Sequence, residues 1–164
     1  MDAFECISKR VSVREYQARS IDQEILTQLV DAGRRAPTAR AVEPWEFVVA
    51  TEKEVLKKLG ELANTGVFIK DSAACIAIFC QDTKYYLEDG CAATENILLA
   101  ACSFGLGACW VAGDKKPYAQ DIKKLLNAPD NCQLISLIAL GWPKKEIPQN
   151  KKRQVEEVIH WQKF

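Results

Sequence analysis

Two rhythms of apolar residues run along this chain. From Ile21 to Arg35, Ile25, Leu29 and Ala32 recur at helical spacing, with Leu26 and Val30 beside them. EKEVLKKLGELAN repeats the pattern, with Val55, Leu56, Leu59 and Leu62 on one face. Residues 2–9 predict a short helix with Asp2 as N-cap and Phe4 and Ile7 on one side. YYLEDGCAATENILLAACSFG is the longest helical stretch, and its alanine density predicts close neighbours on several sides. PYAQDIKKLLN predicts a further helix opened by a proline. Between the helices lie WEFVVAT, SAACIAIFC, LGACWVAG and CQLISLIALGW, apolar runs of strand length. A run apolar on both alternations belongs to a strand covered on both faces.

Helices interspersed with about four strands predict one α/β or α+β domain, with a central sheet and helices on both sides. No repeat, low-complexity tract or linker divides residues 1–164. The tail from about residue 143 to 164 has too few apolar residues for a core of its own. It is expected to pack on the body or on a second subunit.

One stretch fits neither rhythm simply. In KRVSVREY, an extended backbone would turn Arg10, Ser12 and Arg14 one way and Val11 and Val13 the other. Arg10 and Arg14 would stand roughly 13 Å apart, too far to clamp one phosphate but suited to the two ends of a longer ligand. A solvated edge segment explains the same alternation.

Charge and composition narrow the choices. Lys plus Arg equal Asp plus Glu at 22 each, a balance that argues against a nucleic-acid-binding footprint. No apolar run approaches the ~20 residues of a membrane span, and a cytoplasmic protein with no membrane partner is expected. The seven cysteines include no CxxC pair and sit mostly in apolar runs, so they read as small hydrophobes in a reducing compartment. No metal is expected. His160 is the only histidine, which leaves no triad or multi-histidine centre. No G-x-G-x-x-G follows a strand, and no P-loop exists, so a phosphate here would need side-chain cations. Arginine suits that task, because its planar fork matches phosphate oxygens.

KRVSVREY resembles the N-terminal Arg-x-Ser-x-Arg-x-aromatic signature of the FMN-dependent nitroreductase family. Three more blocks follow in the family's order: RRAPTARAVEPWEFVVA, YLEDGCAATENILLAACSFGLGACWVAG, and LIALGWPKKEIPQNKKRQVEEVIHW. Together they span nearly the whole chain.

The resemblance implies an α+β, three-layer nitroreductase-like fold: a central mixed sheet flanked by helices, in an intertwined homodimer with FMN at the subunit interface. It implies two-electron transfer from NADH or NADPH to a small-molecule acceptor such as a nitroaromatic or quinone. Arg10 and Arg153 would hold the ribityl phosphate, with Val11 and Ser12 nearby. Arg14 and Asn64 would reach the pyrimidine end of the ring. Pro37, Thr38, Ala39 and Ala41 would line the partner subunit's contribution. The backbone of Ala112 and Gly113 would lie by the reactive edge, and no side chain would be catalytic.

Two residues depart from the family pattern. Ala41 and Glu43 stand where asparagine and glutamine are common, and Glu43 is expected to pair with Arg40. A second reading follows from them: an FMN carrier, store or redox sensor with little turnover. A third is an anion-binding interaction domain without flavin.

Overall fold

The computed structural model describes residues 1–164. Helix α1 is Ala3–Lys9, and the Asp2 carboxylate accepts from the Glu5 N–H at 2.8 Å, satisfying an otherwise orphaned first-turn amide. Helices α2 (Gln23–Arg34), α3 (Lys53–Leu62), α4 (Tyr86–Ser103) and α5 (Ala119–Leu125) fall where the apolar spacing predicts them. The strands are β1 (Trp45–Ala50), β2 (Ala74–Gln81), β3 (Gly107–Ala112) and β4 (Cys132–Gly141). They form one sheet in the order β1-β2-β4-β3, every neighbouring pair antiparallel. Parallel pairing enters only at the edge, in the bridge from Ser12 to Ala108, so the sheet's mixed character is confined there.

Because side chains alternate across a strand, the two central strands feed two cores. On one face, Ile76, Ile78, Ile138 and Leu140 meet Leu26 and Leu29 of α2 and Ala93, Ile97 and Ala101 of α4. On the other, Cys75, Ala77, Phe79, Leu137 and Ala139 meet Leu56 and Leu59 of α3 and Ile122 of α5. The small residues of α4 are there for proximity. A Cβ on Gly90 would sit 2.6 Å from Ile135, and one on Gly33 of α2 would sit 2.9 Å from Ile97. The register of β2 on β4 shifts between Ile78 and Phe79, an irregularity that sets Ile135 on the α4 side. The Ile135 carbonyl accepts from Gly113 at 2.9 Å and Asp114 at 3.3 Å, fixing the turn that leaves β3.

Phe4 and Ile7 share a face of α1, but it is not buried: they are 79% and 57% exposed, and Cys6 is the residue α1 buries. The tail carries one 3-10 turn, Val155–Glu157, and residues 148–164 are exposed throughout. No helix is long and apolar enough to cross a membrane.

The segment after α1 seats on the ends of β3 and β4. Val13 donates its N–H to the Ala108 carbonyl at 3.0 Å, and Gln17 to that of Trp142 at 2.8 Å. Val13 and Tyr16 are 4% and 3% exposed, and each occupies the space a glycine leaves. A Cβ on Gly107 would lie 2.6 Å from Val13, and one on Gly141 would lie 2.6 Å from the Tyr16 ring. Gly107→Ala should therefore destabilise the fold by about 1–3 kcal/mol. Val13→Ala should relieve that clash, so urea unfolding of the double variant should show less loss than the sum of the single variants. Additive losses would contradict the seating.

Candidate functional site

Seating Val13 leaves its neighbours facing outward. Ser12 and Arg14 are exposed and Arg10 is half-buried. The three border one cleft of about 340 Å³ with Val11, Ile147, Pro148, Gln149, Asn150 and Lys152. The alternation thus holds, and Val11 lies partly in the cleft wall. The tail is moored there: the Gln149 side-chain amide donates to the Arg10 carbonyl at 3.2 Å.

Three cations line this cleft and no carboxylate does. The one acid in ion-pairing reach of these cations is Glu95 on α4, 3.7 Å from the Arg10 Nε and half exposed. That contact leaves the terminal nitrogens of the guanidinium free to fork onto an anion. The Arg14 guanidinium lies over the Phe68 ring, 5.7 Å from its centroid. Phe68 belongs to the turn Val67–Asp71, which follows the exposed loop carrying Asn64.

The far end of β3 is tied to that same loop. The Tyr118 hydroxyl donates to the Ala112 carbonyl at 2.5 Å and lies 3.4 Å from the Thr65 hydroxyl. Main-chain groups alternate sides along an edge strand. The Ala108 carbonyl faces Val13, so Ala112, four residues on, presents its main chain to the same outer side. Gly113 does not: its N–H is committed to Ile135. Of these two residues, Ala112 is the available main-chain donor. Nearby, the Tyr86 hydroxyl donates to Asp114 at 2.9 Å, and burial with that carboxylate pushes the phenol pKa up.

Pro37, Thr38, Ala39 and Ala41 lie elsewhere, in the loop between α2 and β1, and none borders the cleft in a single copy. Arg153 stands on the exposed tail, while its neighbour Lys152 is the tail cation that lines the cleft. Glu43 forms no ion pair with Arg40. Both residues have positive φ (50° and 59°) and are exposed, and the Glu43 N–H donates to the Thr38 hydroxyl at 3.1 Å. Sequence reasoning missed Lys152 and Phe68. The basic run KKR offered a signal for the first; an aromatic in an apolar turn offered none.

The shared architecture has relatives. A family model described as "Putative TM nitroreductase" matches residues 2–163. The chain belongs to the nitroreductase family. A curated relative from Methanothermobacter thermautotrophicus, named "Putative NADH dehydrogenase/NAD(P)H nitroreductase", is 32% identical over 170 residues, covering 100% of this chain and 88% of the relative. A solved structure from Parabacteroides distasonis bearing the same name superposes with a TM-score of 0.93 at 31% identity, covering 99% and 98% of the two chains. An FMN-dependent nitroreductase from Clostridium difficile superposes at 0.90 with 26% identity, covering 98% and 99%. The superposition covers nearly the whole length of this chain and of both solved chains.

Burial makes the most enclosed thiols of the chain poor nucleophiles. All seven are free thiols, and burial pushes Cys75 and Cys80 up to about 12. Burial also raises Cys109, against the opposing charges of Arg14 and Arg10. The consequence for stability has a definite sign. Unfolded, the Cys75 and Cys80 thiols lose their protons above the ordinary value of 9.0; folded, they hold them to about 12. Their contribution is complete below the lower value and is lost as pH rises through that window. Urea titrations stepped through it should show a falling unfolding free energy, and Cys75→Ala should make the fall shallower. A flat profile would contradict the burial argument.

Proposed function

We propose that this chain is a flavin-dependent NAD(P)H oxidoreductase that works as a homodimer, with FMN held where two copies meet. The observation that carries this is the carboxylate-free cationic cleft at Arg10, Arg14 and Lys152 in a chain of this family. Its donor set fits the cofactor: forked cations for a phosphate ester at one end, a cation over an aromatic at the other, and polar Ser12, Gln149 and Asn150 between.

Arg10, with Ser12, binds the phosphate, and the tail supplies the second cation through Lys152 or Arg153. Arg14 places a fixed positive charge at the ring's pyrimidine end, where Asn64 adds an amide. A cation there favours added negative charge and so raises the reduction potential. The Ala112 N–H lies at the reactive edge, and Gly113 fixes the turn beneath it. FMN, when bound, supplies two-electron transfer from NADH or NADPH to a flat electrophile such as a nitroaromatic or a quinone. No side chain needs to act as nucleophile or base, in keeping with thiols held protonated by burial.

The second copy completes the site. Its Pro37, Thr38, Ala39 and Ala41 form the opposite wall. Large apolar residues left exposed in one copy support that assembly: Phe4 and Ile7 on α1, and Val155, Val158, Ile159, Trp161 and Phe164 on the tail.

Purified protein reconstituted with FMN should be yellow, and anaerobic NADH or NADPH should bleach it. Arg10→Ala should weaken FMN binding by about ten- to a hundredfold, the value of a charge-assisted hydrogen bond. Arg14→Ala should chiefly lower the flavin potential. Comparing Lys152→Ala with Arg153→Ala identifies the second phosphate cation. Protein that takes up no FMN would overturn the proposal, and bound FMN without turnover on any acceptor would favour the carrier reading.

A further inference from the structure

The loop between α2 and β1 has an unusual backbone. Arg40, Ala41 and Glu43 all sit at positive φ (59°, 52° and 50°), and none is glycine. Each such residue costs roughly 1 kcal/mol or more, so the conformation persists only where something outside the loop imposes it. Here that something is one side chain. Asp89, in the first turn of α4, is 5% exposed, and both its carboxylate oxygens are spent on the loop. Oδ2 accepts from the Thr38 hydroxyl at 2.8 Å, and Oδ1 from the Ala39 N–H at 3.0 Å. Thr38 passes the constraint on, because its oxygen accepts from the Glu43 N–H at 3.1 Å. The bonds run from Thr38 and Ala39, ahead of the residues at positive φ, to Glu43, the last of them.

Asp89 has no cation within ion-pairing distance. A buried carboxylate without a counter-ion is costly to keep and is retained only where its hydrogen bonds matter. Its place near the N-terminus of an 18-residue helix lowers that cost, since the helix dipole favours negative charge there. The neighbouring Glu88, by contrast, is exposed and makes no ion pair or side-chain hydrogen bond.

We infer that Asp89 is a positioning residue: it holds residues 38–43 in their strained shape and so sets the wall that this loop presents to the flavin of the partner subunit. This rests on the shared-site reading above. Asp89 itself touches no substrate; it acts through Thr38 and Ala39. Its position inside α4 links the loop to the same helix that bears Glu95, the acid beside Arg10. One rigid element therefore fixes the loop wall and borders the cation row.

The test uses full-length protein with two readouts. The first is amide hydrogen exchange of residues 38–43, measured without flavin. The second is the dissociation constant and visible circular dichroism of bound FMN. Asp89→Asn keeps the shape but replaces one acceptor by a donor, and Thr38→Val removes the hydroxyl that links Asp89 to Glu43 without touching the helix. Asp89→Asn should speed exchange at Ala39 and Glu43, and Thr38→Val at Glu43, by about tenfold or more; both should weaken FMN about tenfold and change the circular dichroism of the bound flavin. Glu88→Gln should leave exchange and binding at parent values. Unchanged exchange in both variants would overturn the tether. Faster exchange with unaltered FMN binding and dichroism would overturn the loop's role against the flavin. A parent protein that binds no FMN would instead defeat the shared-site reading, and this role with it.

Discussion

Everything at the site depends on how one short segment is seated. Val13 and Tyr16 fill hollows left by Gly107 and Gly141, and the backbone between them bonds to the ends of β3 and β4. Those contacts are apolar and short-ranged, yet they decide the electrostatics. With Val13 held inward, Ser12 and Arg14 have no choice but the outer face, because successive side chains oppose each other. The seating also pairs the start of the β3 edge at Ala108, which would otherwise be exposed. A single packing event therefore covers the start of a sheet edge and raises a row of cations beside it.

The rest of the fold supplies rigidity on either side of that row. The two central strands are buried on both faces, and the register shift at Ile78 and Phe79 frees the Ile135 carbonyl to anchor the turn after β3. That anchor consumes the Gly113 N–H and leaves Ala112 facing outward. Helix α4 packs close to the sheet through small residues and carries its polar groups to specific partners: Asp89 to the loop, Thr94 to Ser136, Glu95 to Arg10. Flavin chemistry asks little of side-chain acids and bases. It asks for a held phosphate, a tuned ring environment and a well-placed edge, the roles proposed here for the cation row and the Ala112 edge.

Much of this was legible in the amino-acid sequence. The helices and strands follow the apolar spacing closely, since each buries one face or two. The Arg10, Ser12 and Arg14 row follows from alternation alone, once the segment is extended. What was not legible had physical causes. Phe4 and Ile7 lie on one face of α1 as their spacing requires, but spacing cannot say whether that face meets this copy or another. The positive φ of Arg40, Ala41 and Glu43 has no residue signature, because glycine, the usual marker, is absent there. Nothing in the spacing of Asp89 along α4 points to the loop; only the fold brings the two together. Arg153 and Lys152 are adjacent in a basic run, and which one turns to the cleft is a matter of tail geometry.

The central claim is that one flavin site is built from two copies: the cation row of one and the Thr38 loop of the other. Mixed dimers test it most directly. In a two-fold dimer, pairing an Arg10→Ala chain with a Thr38→Val chain places both lesions in one site and leaves the other intact. Differently tagged chains allow that heterodimer to be isolated and its FMN content measured. The account predicts that both variant homodimers bind FMN poorly and that the heterodimer regains one site of parental affinity. A heterodimer that binds no better than either homodimer would show that row and loop act within a single chain, and would contradict the account.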